Sequence, residues 1–255
     1  MKASKGVKCI ACCYRRILSL RYQVTLKGTD LLSEFSTTTL FLPNHQAVVD
    51  PQILFAYLLK YTCAAPLVTE AYFRIPVVAQ VLRLVHAVKV PDLEKSRRGV
   101  EVVSRLSEQV VESLRQGNNV LIYPAGQLTS HGYEYIGNKQ GTWQVCSQLP
   151  PDTRVVGVRI RGLWGSMWSK ARTGRTPDFL VTYLKGIFYM FVNGIFFMPR
   201  RSVTISFYDI TSDVINHVPG GRKELNHYLE EFYNAEGEET VSFLRHGWWQ
   251  KNRGI

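Results

Sequence analysis

The sequence contains no clean apolar run of the ~20 residues that a membrane-spanning helix needs, no internal repeat and no low-complexity linker. A single folded unit is therefore the simplest expectation. Its five cysteines, Cys9, Cys12, Cys13, Cys63 and Cys146, form no evenly spaced set, which argues against a disulfide framework and for a reducing compartment. Cys9-x-x-Cys12-Cys13 has no second Cys/His pair at finger spacing, so no metal site is expected. Met1 to Leu20 lacks an apolar run of the ~7–15 residues found in signal peptides, and no cleaved targeting segment is expected. Acidic residues are scarce as well. Against 31 Lys and Arg there are 20 Asp and Glu, leaving a net charge of +11. Such a balance favours an anionic partner, a nucleic acid or an acidic membrane surface.

What is present fits a folded α/β protein. With 45% hydrophobic and 20% charged residues over 255 positions, wholesale disorder is excluded and a full core is available. Apolar runs read as strands at 22–26, 39–42, 65–69, 86–90, 119–123, 154–160 and 202–208. Helical spacing appears between them, most clearly over 97–115, where Val103, Leu106, Val110 and Leu114 recur every three or four residues. Alternating strands and helices predict an α/β single domain with a largely parallel central sheet flanked by helices.

Two segments stand apart. Residues 1–22 form a basic amphipathic N-terminal segment ahead of a domain over 23–255. In its helix, Ile10, Cys13, Tyr14, Ile17 and Leu18 are expected on one side, with Arg15 and Arg16 outside it. Residues 183–199 are apolar and aromatic and end in Arg200-Arg201, which fits a membrane-associated helix with its basic end at headgroup level. A buried core helix is the alternative. The strands are aliphatic rather than interleaved aromatic and basic, so no nucleic-acid partner is expected and an anionic lipid surface accounts better for the charge.

The stretch Pro43-Asn44-His45-Gln46-Ala47-Val48-Val49-Asp50-Pro51 links the strand at 39–42 to a helix starting near Pro51. Asp50 is expected as the N-cap and Pro51 as the first helical residue. On a continuous helix His45 and Asp50 would point ~140° apart, whereas a turning loop can bring them together. At the carboxyl end of a strand, a histidine held by a carboxylate is a candidate general base. A capping aspartate beside a backbone-bonded histidine is the plainer reading of the same spacing.

Asn44-His45-Gln46-Ala47-Val48-Val49-Asp50 resembles the Asn-His-x-x-x-x-Asp block of the glycerolipid acyltransferase superfamily. Val68 to Pro76, running on to Pro91, is similar to its second block. Leu121 to Thr129 stands where the family has Phe-Pro-Glu-Gly-Thr-Arg, and Val155 to Ile160 is similar to the strand of the fourth. The resemblance implies O-acylation of a lysolipid acceptor by an acyl thioester, acyl-CoA or acyl carrier protein, at the cytoplasmic face of a membrane. It implies His45 as base, Asp50 as its orienting partner, and no cofactor beyond the acyl donor. Asn44, Glu70, Gln127 and Thr129 of these blocks are candidate substrate contacts, as is the backbone around Gly126 for an oxyanion or phosphate, since glycine admits close approach; Arg97 and Arg98 are candidate cations for a phosphate bound from elsewhere. Ala125 and Leu128 replace the family's charged residues, which implies an acceptor without the usual phosphate, or one held by other cations such as Lys95 or Lys139. A catalytically inactive lipid-binding relative is the alternative, against which the presence of both His45 and Asp50 argues.

Overall fold

The structure, a computed structural model, describes residues 5–32, 37–84, 87–90 and 99–247. Strands β1 (Tyr22–Lys27), β2 (Thr39–Pro43), β3 (Ala64–Thr69), β4 (Val88–Val90), β5 (Asn119–Leu121), β6 (Arg154–Arg161) and β7 (Arg201–Asp209) form one sheet, ordered β1-β7-β6-β2-β5-β3-β4. All neighbours run parallel except β6 and β7. Helices α1 (Lys5–Ser19), α2 (Asp50–Leu58), α3 (Pro76–Leu84), α4 (Gly99–Arg115), α5 (Gly141–Cys146), α6 (Phe179–Val192), α7 (Thr211–His217) and α8 (Arg222–Asn234) connect or flank the strands. The predicted α/β single domain with a mostly parallel sheet is the fold observed. The short helices α5 and α7 have no counterpart in the sequence reading, being too brief for a 3.6-residue period to register.

Strand β2 is central and buried along its whole length. Successive side chains on a strand point to opposite faces, and β2 divides the core accordingly. Phe41 joins Ile53, Leu54, Leu58, Val156, Val158 and Ile205 beneath α2, whereas Leu40 and Leu42 join Val110, Leu114, Val120, Leu225 and Leu229 beneath α4 and α8. The connection leaving β2 thus runs through α2 on one face and that leaving β5 through α5 on the other. Chain paths diverge at the carboxyl ends of β2 and β5, which is where open α/β sheets form a ligand crevice. Because β7 runs back against β6, its first residue, Arg201, and Tyr22 of β1 lie at this same end.

Helix α1 packs on α2, with Tyr14 Oη donating to Gln52 Oε1 at 2.7 Å and Arg15 Nη1 donating to the Ala56 carbonyl at 3.0 Å. Its orientation corrects the expected face. Ala11 and Leu18 are buried and Tyr14 packs against the core, while Ile10 and Ile17 are 53% and 54% exposed. The helix carries apolar residues on both sides, so the pattern alone did not choose between them. Helix α6 begins earlier than expected, where Asp178 Oδ1 accepts from Val181 N at 2.8 Å, and ends at Val192. Thr182 is the one residue of it that is buried, which removes the core-helix alternative. Among the described residues no helix is long and apolar enough to cross a membrane.

Past β6 the chain turns at Gly162, whose φ of +103° is unfavourable for any side chain. A Cβ there would run into the Ser202 carbonyl oxygen, which is main chain and has little freedom to yield. Gly174 also has positive φ, +67°, with nothing within 4 Å of the site of a Cβ. Gly174→Ala should therefore lower stability by only ~1 kcal/mol, and Gly162→Ala by at least ~3 kcal/mol, because strain adds to overlap. Urea unfolding of both variants tests this, and equal losses would contradict it.

Candidate active site

Residues 44–50 leave β2 as a loop fixed by side chains more than by secondary structure. Proline at 43 ends the β2 ladder, and Asn44 continues it by proxy: its Nδ2 donates to the Ile160 carbonyl at 3.0 Å and its Oδ1 accepts from Ile160 N at 2.7 Å. Asn44 is thus engaged by strand β6, which corrects its expected role as a substrate contact. The carboxylate of Asp50 turns back into the loop. Its Oδ2 accepts from Gln46 N at 2.6 Å and Ala47 N at 2.9 Å, and lies 3.2 Å from His45 Nδ1. Asp50 is accordingly not an N-cap. Val49 holds that position, and Asp50 is the first helical residue. Its side chain bonds N–H groups that precede it because those are the donors the loop has turned inward.

Asp50 is fully buried and the His45 side chain is 17% exposed. Burial is the largest influence on the Asp50 carboxyl and pushes it up; the His45 bond and charge and the two N–H donors pull the other way. A carboxylate oxygen facing Nδ1 places the imidazole proton there and leaves Nε2 with its lone pair free to accept one. No group among the described residues hydrogen-bonds Nε2. The Tyr123 ring, following β5, lies against the imidazole with centroids 4.3 Å apart.

Both main-chain groups of His45 are held by the loop after β5. The His45 carbonyl accepts from Thr129 N at 2.9 Å, and its N–H donates to Glu134 Oε2 at 3.1 Å. Gln46 is fixed as well, its Oε1 accepting from Leu163 N at 3.2 Å and its Nε2 donating to Glu239 Oε2 at 2.7 Å. Glu134 and Glu239 escaped the sequence reading. In Gly132-Tyr133-Glu134-Tyr135-Ile136 the structure buries the glutamate and exposes both tyrosines, the reverse of what the polar and apolar alternation of the sequence suggests. A ~10 Å³ polar cavity behind this loop, lined in part by Asn44, Gln46, Glu134 and Glu239, has room for a water molecule but not for a lipid.

Other sequence candidates fall into three groups. Thr129 is buried, and its hydroxyl bonds the carbonyls of His131 and Tyr133 at 3.1 and 2.5 Å, closing its own turn instead of meeting a ligand. The Gly126 N–H donates to the Tyr123 carbonyl at 2.9 Å, so it is not a free oxyanion donor. Glu70, on the 3-10 turn after β3, and Gln127 and Lys139 are exposed and keep their polar groups toward solvent. Arg97, Arg98 and Lys95 lie outside the described residues. Ala125 and Leu128 are buried in the two core layers, 1% and 6% exposed. Among the described residues no cluster of His, Cys, Asp or Glu is arranged to hold a metal ion.

The sheet is mostly parallel and carries a histidine paired with a buried aspartate at its crevice. The Acyltransferase family matches residues 23–161, more than half of the chain, and the chain belongs to that family. The match runs from β1 through β6 and includes His45, Asp50 and Glu134. Among solved structures, the crystal structure of the 1-acyl-sn-glycerophosphate (LPA) acyltransferase PlsC from Thermotoga maritima is similar in fold, with a TM-score of 0.58 and 18% identity over 90% of this chain and 77% of that one. A sequence search of curated proteins gives no significant match.

Asp50→Ala leaves the N–H groups of Gln46 and Ala47 without an acceptor inside the fold and should lower stability by ~3 kcal/mol or more. Asp50→Asn retains an accepting oxygen and should lower it by about half as much. Denaturant unfolding at pH 7 gives both values, and an Asp50→Ala variant as stable as the parent would contradict the assigned geometry.

Proposed function

We propose that this acyltransferase moves a fatty acyl group from a thioester, acyl-CoA or acyl carrier protein, to the hydroxyl of a lysolipid. The observation that carries the reading is the His45 Nδ1 to Asp50 Oδ2 pair at 3.2 Å with Nε2 left unbonded at the crevice. Nε2 would take the proton of the acceptor hydroxyl as its oxygen attacks the thioester carbonyl. Asp50 would stabilise the imidazolium that forms. Collapse of the tetrahedral intermediate breaks the carbon–sulfur bond, and the imidazolium returns its proton to the departing thiolate. The acceptor thus stands where a serine hydrolase has its serine, and no enzyme nucleophile is needed.

Burial of Ala125 and Leu128 bears on the acceptor. Neither side chain has a hydrogen-bonding group, and neither faces solvent, so an acceptor phosphate would have no ligand there. Acceptors without a phosphate next to the hydroxyl, or with headgroups reached by Gln127 or Glu70, fit this loop better. The rival reading, an inactive lipid-binding relative, draws on the same lost charges. The intact dyad favours the enzyme, since lipid binding alone has no use for an oriented imidazole.

Acylation should appear by mass spectrometry when detergent-solubilised protein is given acyl-CoA or acyl carrier protein and a panel of lysolipids with and without phosphate. His45→Ala should reduce the rate by ~10³-fold or more with little change in melting temperature. Bound lipid without product from any pair would favour the inactive relative.

Such a substrate resides in a bilayer, and α6 supplies a means of reaching it. Leu184, Phe188 and Phe191 are 61%, 63% and 64% exposed, and Phe196 and Phe197 just beyond the helix are both 72% exposed. An apolar area of this size is uncommon on a monomer in water. Lys185 lies on the same helix, and Arg172, Arg175 and Arg200 flank this stretch in sequence. In our reading α6 lies in the interface of an anionic leaflet on the cytoplasmic face. Phe188→Asp together with Phe191→Asp should weaken co-sedimentation with phosphatidylglycerol vesicles by at least ~100-fold, and undiminished binding would contradict this placement.

A further inference from the structure

The proposed reaction makes no use of Glu134, although it is among the most deeply enclosed carboxyls of the described residues. It is 4% exposed, one oxygen accepts the His45 N–H, and the other has no hydrogen-bond partner among the described residues. Its main chain is clamped from helix α8, with Glu134 N donating to Asn234 Oδ1 at 2.8 Å and Asn234 Nδ2 donating to the Glu134 carbonyl at 2.9 Å. The clamp belongs to a stripe. One turn earlier, Glu230 Oε1 accepts from Ile136 N and Gly137 N at 2.6 and 2.7 Å. A further turn back, Asn226 Nδ2 donates to the carbonyls of Gly137 and Lys139 at 2.8 and 2.7 Å. Residues four apart share a helix face, so α8 presents one polar row to this loop while Leu225 and Leu229 face the core.

We propose that Glu134 is a positioning residue for His45: its carboxyl holds the His45 main-chain N–H, and the polar row of α8 holds Glu134, so that α8 controls the placing of the imidazole between Tyr123 and Asp50. Glu134 does not itself meet the substrate. The inference rests on His45 being the base of the proposed reaction.

The surroundings of Glu134 also fix its charge. Asp50 of α2, Glu230 and Tyr233 of α8, Tyr123 beyond β5 and Glu239 of the C-terminal tail all approach it, and none of them brings positive charge. Arg161, on the wall of the adjoining cavity, is paired with Glu236 and Glu239 at 3.8 and 3.9 Å. Burial, with the charges of Asp50 and Glu230 adding to it, pushes the Glu134 carboxyl up to about 8, against the His45 N–H bond, which lowers it. It therefore remains a neutral acid beside the Asp50 carboxylate at neutral pH. Ionisation above about 8 would set two buried negative charges against each other at the loop that carries the base.

Two variants separate the roles. Glu134→Gln keeps an oxygen for the His45 N–H and cannot ionise, while Glu134→Ala removes the acceptor. The first readout is independent of activity: the imidazole of His45 is followed by NMR from pH 5 to 10 in labelled full-length protein. The parent should show an inflection near 8 in the His45 ring shifts, reporting the Glu134 carboxyl. Glu134→Gln should lack this inflection and keep the Nδ1–H signature. Relative to Glu134→Gln, the parent should lose stability as pH rises from about 4.5 to about 8, the window over which the proton is lost on unfolding but not in the native state. The second readout is acyl transfer, where Glu134→Ala should lower kcat by ~10-fold or more at unchanged KM. Glu134→Gln should match the parent at pH 7 and exceed it above pH 8. Coincident pH profiles of the His45 ring shifts in parent and Glu134→Gln, or an undiminished kcat in Glu134→Ala, would overturn the proposal. A parent without any acyl transfer would instead remove the function proposed above, and the NMR comparison would still decide the role of Glu134.

Discussion

The arrangement depends on one buried oxygen, Oδ2 of Asp50. It accepts from the N–H groups of Gln46 and Ala47 and faces Nδ1 of His45. Removing a carboxylate from water is unfavourable by several kcal/mol unless its lone pairs are met; here the loop meets those of Oδ2, while Oδ1 has no hydrogen-bond partner among the described residues. The 44–50 segment therefore cannot relax without exposing the aspartate or leaving two amides unpaired. Fold and chemistry share this contact: the bonds that close the turn between β2 and α2 also orient the imidazole. That is why α2 begins at Asp50 without a side-chain cap. The residue best suited to cap it has been turned around to organise what precedes it.

A second layer of restraint comes from residues far away in sequence. Glu239 Oε1 accepts from Gly162 N at 2.8 Å while its other oxygen accepts from Gln46. Arg201, buried at the start of β7, donates to the carbonyls of Gly162, Trp164 and Ser242. The tail beyond α8 is thereby tied to the β6–α6 connection and to the His45 loop together. These contacts exist because β7 is reversed relative to β6, which brings its first residue to the carboxyl end of the sheet.

Much of this was legible in the sequence, for identifiable reasons. The run Thr39 to Leu42 is buried on both faces, and a central parallel strand reads as continuous apolar sequence. The pairing of His45 with Asp50 was accessible because both lie within one loop of a recognisable block. Asn44 was misread because its partner, Ile160, is separated from it by more than a hundred residues, and a polar side chain near a histidine looks alike whether it meets a ligand or a strand. Thr129 and Gly126 were misread for a related reason: turns consume their own polar groups, and sequence shows the groups without the turn. The face of α1 failed differently, through an apolar pattern wide enough to satisfy either orientation.

The altered third block gains a physical sense from how the loop works. What it contributes to His45 is main chain, the Thr129 N–H on the His45 carbonyl, and an amide can be delivered by many side-chain sequences. Ala125 and Leu128 can therefore sit in the apolar layers without disturbing the His45–Asp50 pair, and Leu128 packs in the same core cluster as Ala47 and Val48 of the 44–50 loop. On the function proposed above, orientation of the imidazole and recognition of the acceptor would be carried by separable parts of one loop. The backbone and Glu134 face inward to His45, whereas Gln127 is exposed to solvent. On that proposal a chain built this way could change its acceptor by surface substitution, whereas a change at Asp50 or in the buried hydrogen bonds around it would disturb the placing of the imidazole itself.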